Sequence, residues 1–143
     1  MTEFKRTGRR GRGFTLVELL VVLAILGLLA SLVGPRVIGQ LGGAKSRTAA
    51  VQIKDFEAAA DLFRLDVGRY PSQQEGLQAL ASQPADVMGW NGPYLRKGLP
   101  NDPWGNPYRY RNPGQRGEID IYTYGADNAP GGDGENADIG NWQ

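Results

Sequence analysis

Hydrophobic and polar positions divide the chain into three regimes. Phe14 to Val33 (FTLVELLVVLAILGLLASLV) is apolar at almost every position, with Glu18 as its one charge. Twenty such residues in helical form span roughly 30 Å, the thickness of a bilayer core. They leave no polar face for packing in a soluble protein. The pattern predicts a transmembrane helix over 14–34. Beyond Gly34-Pro35, a pair that ordinarily breaks or kinks a helix, the spacing becomes amphipathic. Ala49, Ile53, Phe56, Ala60, Phe63 and Val67 recur every three or four residues, and charged residues from Lys45 to Asp66 fill much of the remainder. This predicts a helical stem over 35–67 with one buried stripe, ended by Gly68 and Pro71. Gly34, Gly39, Gly42 and Gly43 weaken its helical propensity, so continuity with the apolar segment stays open.

The third regime, 68–143, is turn-rich. Ser72 to Ala81 reads as a short helix, with Ser72 as N-cap and Glu75 completing a capping box. Tyr108–Arg111 and Ile119–Thr123 alternate as strands around the turn-rich Asn112–Gly117. From Gly89 onward there are eleven Gly and six Pro in 55 residues, a share that suggests disorder. The same stretch holds Trp90, Tyr94, Trp104, Tyr108, Tyr110, Tyr122, Tyr124 and Trp142, which argues for ordered loops held by aromatic packing. The predicted fold is α+β: a long N-terminal helix packed on a small antiparallel sheet, with a loop-rich C-terminal region.

Composition then narrows the chemistry. The 143 residues include no His and no Cys. That excludes His-based triads, thiol nucleophiles, Cys/His zinc sites, Cys-ligated iron–sulfur clusters and disulfides. The net charge of +1 hides segregation. Residues 1–13 carry Lys5, Arg6, Arg9, Arg10 and Arg12 against Glu3 alone, a net +4 that leaves −3 on the rest. Basic residues before an apolar span predict a cytoplasmic N-terminus. A removable signal peptide would need a shorter apolar region and an A-x-A-like site after it, which the stretch around Ala30–Pro35 does not offer. Glu18 inside the span costs about 2.5–3.5 kcal/mol on insertion scales. It either reaches the headgroups or meets a cation inside an assembly.

Gly13-Phe14-Thr15-Leu16-Val17-Glu18, behind a short basic leader and ahead of an apolar helix, resembles the type IV prepilin signal. The resemblance implies that a prepilin peptidase cuts between Gly13 and Phe14 and N-methylates the new terminal Phe14, so that 1–13 is a cleaved leader. It also implies that the Phe14 amine of one subunit pairs with Glu18 of a neighbour, and that a Pro at position 35 is tolerated within a long helix. Further runs resemble the major pseudopilins of type II secretion systems (the GspG family) over nearly the whole chain. They are Arg69-Tyr70-Pro71-Ser72…Glu75-Gly76-Leu77, Asp102-Pro103-Trp104-Gly105-Asn106-Pro107-Tyr108, Tyr124-Gly125-Ala126-Asp127 and Ala137-Asp138-Ile139-Gly140-Asn141-Trp142.

Tyr124 to Asp138 (YGADNAPGGDGENAD) gathers Asp127, Asp133, Glu135 and Asp138 with no basic residue. Oxygen-only loops suit calcium, but Ala129 and Gly131 fall where an EF-hand needs side-chain oxygens. From spacing alone, a solvated acidic loop and a metal site are equal readings. A loop-rich domain without disulfides gains from a metal staple, and the resemblance implies a structural calcium. It carries over Asp127 and Asp138 as side-chain ligands, Tyr124 and Ala129 as carbonyl donors and Asp133 as a further ligand, with Glu135 left open.

The implied function is the major structural subunit of a periplasmic pseudopilus, anchored once in the bacterial inner membrane with its C-terminal domain periplasmic. Its partners would be copies of itself, minor pseudopilins, the prepilin peptidase and the inner-membrane secretion platform, with no nucleic acid and no catalysis. A type IV pilus subunit or minor pseudopilin, and a membrane-tethered sugar-binding module using exposed aromatics, are the alternatives. A hydrolase using Asp/Glu pairs is disfavoured because the acids share one loop.

Overall fold

The computed structural model describes residue 11 and residues 13–143, so the basic leader lies almost wholly outside the described residues. Helix α1 runs Leu16–Val67. A 3₁₀ turn at Leu77–Leu80, strand β1 (Arg109–Arg111), strand β2 (Asp120–Thr123), a second 3₁₀ turn at Gly134–Asn136 and strand β3 (Ile139–Gly140) follow. The architecture is α+β, with one sheet in the order β1-β2-β3. The chain divides into an N-terminal unit ending at Ile38 and a compact unit Gly39–Gln143.

In the N-terminal unit, α1 passes through Gly34 and Pro35 without interruption. Pro35 brings no N–H, so the helix lacks one bond there but keeps its conformation. The large apolar side chains from Phe14 to Val33 are uncovered, from 47% exposure at Val22 to 79% at Phe14. The segment is long and apolar enough to cross a membrane.

The Gly39–Gln143 unit is built on the α1 stripe. Ala49, Ile53, Phe56, Ala60 and Phe63 are buried as the spacing requires, and Val67 packs at the margin. Leu77, Leu80, Val87, Tyr108, Ile119, Ile121 and Ile139 close over them. Phe56 meets Tyr108 edge-on at 4.9 Å between ring centroids, and Phe63 meets Tyr94 at 5.9 Å. Fully burying a side chain such as Phe63 or Ile53 stabilises the unit by roughly 1.5–3 kcal/mol each. The helical stem and the segment beyond Val67 therefore share one core.

The expected helix at Ser72–Ala81 is only partly formed. Its capping box is present: the Ser72 N–H donates to Glu75 Oε2 at 2.7 Å and the Glu75 N–H to Ser72 Oγ at 3.2 Å. Gly76 then takes φ 59°, a left-handed step that stops a continuous helix. Only the 3₁₀ turn Leu77–Leu80 follows.

Strands β1 and β2 fall where alternation places them and pair antiparallel, Tyr110 opposite Ile121. The turn between them is pinned by Asp120, whose buried carboxylate accepts the N–H groups of Gln115 at 2.7 Å and Arg116 at 3.2 Å. Strand β3 was not expected. It pairs with β2 through Thr123 opposite Ile139. Asn141 then ties it to the helix, donating from Nδ2 to Glu57 Oε1 at 3.0 Å and accepting the Ile121 N–H at 3.1 Å.

Candidate functional site

Two places carry the residues singled out by sequence, and each lies in its own unit. At the N-terminal junction, Gly13 and Phe14 precede α1 in non-helical, exposed backbone. Among the described residues, a Cβ added at Gly13 would touch nothing within 4 Å. Glu18 lies in the first turn of α1 and makes a reciprocal capping box with Thr15. The Thr15 N–H donates to Glu18 Oε2 at 3.0 Å, and the Glu18 N–H donates to Thr15 Oγ1 at 3.2 Å. Two otherwise orphaned helix-end donors are satisfied this way. The Thr15-x-x-Glu18 spacing was the available signal for this local role.

The second place is the acidic loop. Because Thr123 faces Ile139 across the β2–β3 ladder, Tyr124 and Asp138 stand opposite each other at the loop's base. Inside it, the Ala126 N–H donates to the Glu135 carbonyl at 2.8 Å. Asp127 Oδ1 accepts the Ala129 N–H at 3.1 Å, and both oxygens of Asp138 accept the Gly131 N–H, at 3.0 and 3.1 Å. Gly125 is buried at φ 76°; a Cβ there would run into the carbonyls of Glu135 and Ala137.

Residues outside the loop, not identified from sequence, hold it in place. Arg109 of β1 lies over the Tyr124 ring, 4.5 Å from its centroid, and its Nη2 donates to Asn128 Oδ1 at 3.3 Å. Asn106 Nδ2 donates to the Gly125 carbonyl at 3.3 Å. Asn106 is itself fixed by Asp102, which is 4% exposed. The Asp102 carboxylate accepts the N–H groups of Trp104 at 3.0 Å and Asn106 at 2.8 Å and the hydroxyl of Thr123.

As a donor set for a metal, the loop offers oxygen only. Among the described residues, no group of three or more acidic side chains gathers tightly enough to hold an ion. Asp127, Asp133 and Asp138 are thus not brought together as a triad. Asp133 sits exposed before the 3₁₀ turn, and the Glu135 carboxylate lies against α1 at Gly42. The opposed Tyr124 and Asp138, with the tied pair Asp127 and Ala129, give carboxylate and carbonyl oxygens in one loop. This donor chemistry fits a hard cation such as calcium, which accepts carbonyls and water beside carboxylates.

The eight aromatics of the C-terminal region are all at least partly buried. Several ring faces are covered by guanidinium groups: Arg109 over Tyr124, Arg111 over Tyr122 and Arg116 over Trp142.

Both places fall within regions that match known families. The family described as type II secretion system (T2SS), protein G, matches residues 36–142. The chain belongs to this family. The prokaryotic N-terminal methylation motif matches residues 8–34 and so spans the Gly13–Phe14 junction and Glu18. The type II secretion system core protein G of Pseudomonas aeruginosa is 47% identical over 137 residues, covering 94% of this chain and 96% of the relative. That of Vibrio cholerae is 45% identical over 137 residues, covering 94% and 93%. The crystal structure of the major pseudopilin from the type 2 secretion system of enterohaemorrhagic Escherichia coli superposes with a TM-score of 0.65 at 37% identity. It covers 73% of this chain and 88% of that one. The family and the uncovered apolar segment together mark a membrane-anchored pseudopilin.

Proposed function

We propose that this chain is the major, non-catalytic structural subunit of the periplasmic pseudopilus of a type II secretion system. It polymerises to drive folded proteins across the outer membrane. The observation that carries the reading is the joint match of the protein G family over 36–142 and the methylation motif over 8–34, on a chain whose Phe14–Val33 surface is uncovered. That surface needs lipid first and the helices of other copies afterwards. The basic leader keeps the N-terminus cytoplasmic and the Gly39–Gln143 unit periplasmic.

The prepilin peptidase cuts between Gly13 and Phe14, in exposed non-helical backbone, and methylates the amine of Phe14. The capping box holds the Glu18 carboxylate at the start of α1, where the Phe14 amine of a neighbouring copy can pair with it and offset its burial cost. Minor pseudopilins and the inner-membrane platform complete the assembly.

Overexpression with the secretion machinery, followed by electron microscopy, tests the reading. Regular filaments are expected from the wild type and none from Glu18→Ala; dispersed monomer from the wild type would overturn it. Gly13→Val should leave full-length precursor on an immunoblot, and mature protein at normal levels would remove the assigned cut.

Calcium bound by Asp127, Asp138 and the carbonyls of Tyr124 and Ala129, with Asp133 approaching as a further ligand, would staple the loop. The oxygen-only donor set and the Tyr124–Asp138 opposition support this. Saturating calcium at about 100 times its Kd would stabilise the folded state by roughly 2.7 kcal/mol. The unfolding midpoint of the full chain in detergent should rise with calcium, and less so in Asp138→Ala. An unchanged midpoint at millimolar calcium would remove the site.

A further inference from the structure

Gly42 stands apart from the other glycines of α1. A Cβ at Gly27, Gly34, Gly39 or Gly43 would meet nothing within 4 Å, whereas one at Gly42 would overlap the Oε1, Cδ and Cγ atoms of Glu135. Gly42 is buried and Glu135 half-buried. Both lie in the Gly39–Gln143 unit. Glu135 is also the residue whose carbonyl takes the Ala126 N–H at 2.8 Å, bridging the two sides of the acidic loop. One residue thus bridges the loop through its backbone and packs against α1 at Gly42 through its side chain.

We propose that Glu135 is the latch of the acidic loop rather than one of its metal ligands. Its carboxyl end, seated where Gly42 lacks a side chain, couples order in the loop to order in the glycine-rich start of the α1 stem. The stem needs this cover. Gly39, Gly42 and Gly43 each lower helical propensity relative to Ala, and Ala49 is the first buried apolar residue of the stripe. With Glu135 seated, local opening at 42–46 must first displace the loop. With it gone, the segment opens on its own. The link runs both ways, so an ion that orders the loop also protects the helix. That last step rests on the calcium reading above; the latch itself does not.

Hydrogen exchange of the full chain in detergent tests it, read at amides 42–46 of α1 and 126–137 of the loop. In metal-free protein, Glu135→Ala should speed exchange at 42–46 by about fivefold or more, the factor that a loss near 1 kcal/mol produces. Glu135→Gln, which keeps the side chain's shape, should retain most of the protection. Gly42→Ala is the sharper probe. In a free helix it slows exchange by raising propensity; here it should evict the carboxylate and speed exchange at 126–137. Slower exchange everywhere in Gly42→Ala, or unchanged exchange at 42–46 in Glu135→Ala, would overturn the latch. Calcium should slow exchange at 42–46 in the wild type and not in Glu135→Ala; equal slowing in both would overturn the coupling. A wild type whose unfolding midpoint ignores calcium would remove the calcium reading and leave the metal-free comparison to decide the latch.

Discussion

Glu75 offers the most quantitative test of how the Gly39–Gln143 unit is held. Its carboxylate is gripped by Arg69 through two bonds, Nη1 at 2.7 Å and Nη2 at 2.8 Å, and by the Ser72 N–H at 2.7 Å. The Arg69 bonds lower its pKa from 4.5 to about 2, against the opposing pull of burial and with help from Ser72. At about 1.36 kcal/mol per pH unit, that displacement sets a ceiling of roughly 3 kcal/mol. The Arg69 side chain is 48% exposed, so solvent screening reduces the net contribution to about 1–2 kcal/mol. The sign follows from linkage. A carboxyl whose folded pKa is depressed contributes its stability in full above the unfolded value of 4.5, and loses it as pH falls through the folded value near 2. Glu75→Gln removes the charge and keeps the shape. Urea unfolding of the full chain in detergent, followed by tryptophan fluorescence, should show the variant about 1–2 kcal/mol less stable at pH 7. The gap to the wild type should close between pH 4.5 and pH 2. A gap that is absent at pH 7, or that persists unchanged at pH 2, would refute the argument.

Three further substitutions probe the core and the loop. Phe63, fully buried and edge-on to Tyr94, should cost about 3–5 kcal/mol when replaced by Ala, seen as a lower urea midpoint with an unchanged slope. Thr123→Val deprives the Asp102 carboxylate of its hydroxyl donor and should cost about 1–3 kcal/mol, whereas Thr123→Ser should cost much less in the same assay. Gly125→Ala combines φ 76° with overlap on the Glu135 and Ala137 carbonyls. It should open the loop, detected as fast amide exchange at 126–137 with the α1 stripe amides still protected.

The parts legible in the sequence are those set by local spacing. The stripe from Ala49 to Phe63 repeats at helical intervals and is buried where those intervals place it. The Ser72–Glu75 box depends on neighbours three residues apart and forms as read. The helix expected behind it gave way to a 3₁₀ turn because Gly76 takes a left-handed φ, a choice that a glycine permits but does not announce. Strand β3 is two residues long and exists only because β2 presents an open edge, so no periodicity could signal it. The Thr15–Glu18 box has its local signal in the Thr15-x-x-Glu18 spacing, although Glu18 is also the one charge of the apolar run. The contacts that steady the acidic loop were beyond local reading altogether. Arg109 reaches Asn128, Asn106 reaches Gly125, and Glu135 reaches Gly42 from far along the chain.

The glycines separate what the fold requires from what it leaves free. At Gly125 the backbone conformation and the surrounding carbonyls exclude a side chain, and at Gly42 the Glu135 carboxylate occupies the space of one. These residues are accounted for within the chain. At Gly13 nothing surrounds the position, yet it immediately precedes Phe14, which is 79% exposed, within the matched methylation motif. The same division applies to apolar surface: the Ala49–Phe63 stripe is satisfied by the Gly39–Gln143 unit, whereas the Phe14–Val33 surface is left uncovered among the described residues. A chain whose Ala49–Phe63 stripe is covered within the Gly39–Gln143 unit, and which carries an unfilled glycine position in the methylation motif and an uncovered apolar run beside it, directs its N-terminal segment outward. Lipid covers the second of these features, as membrane anchoring requires.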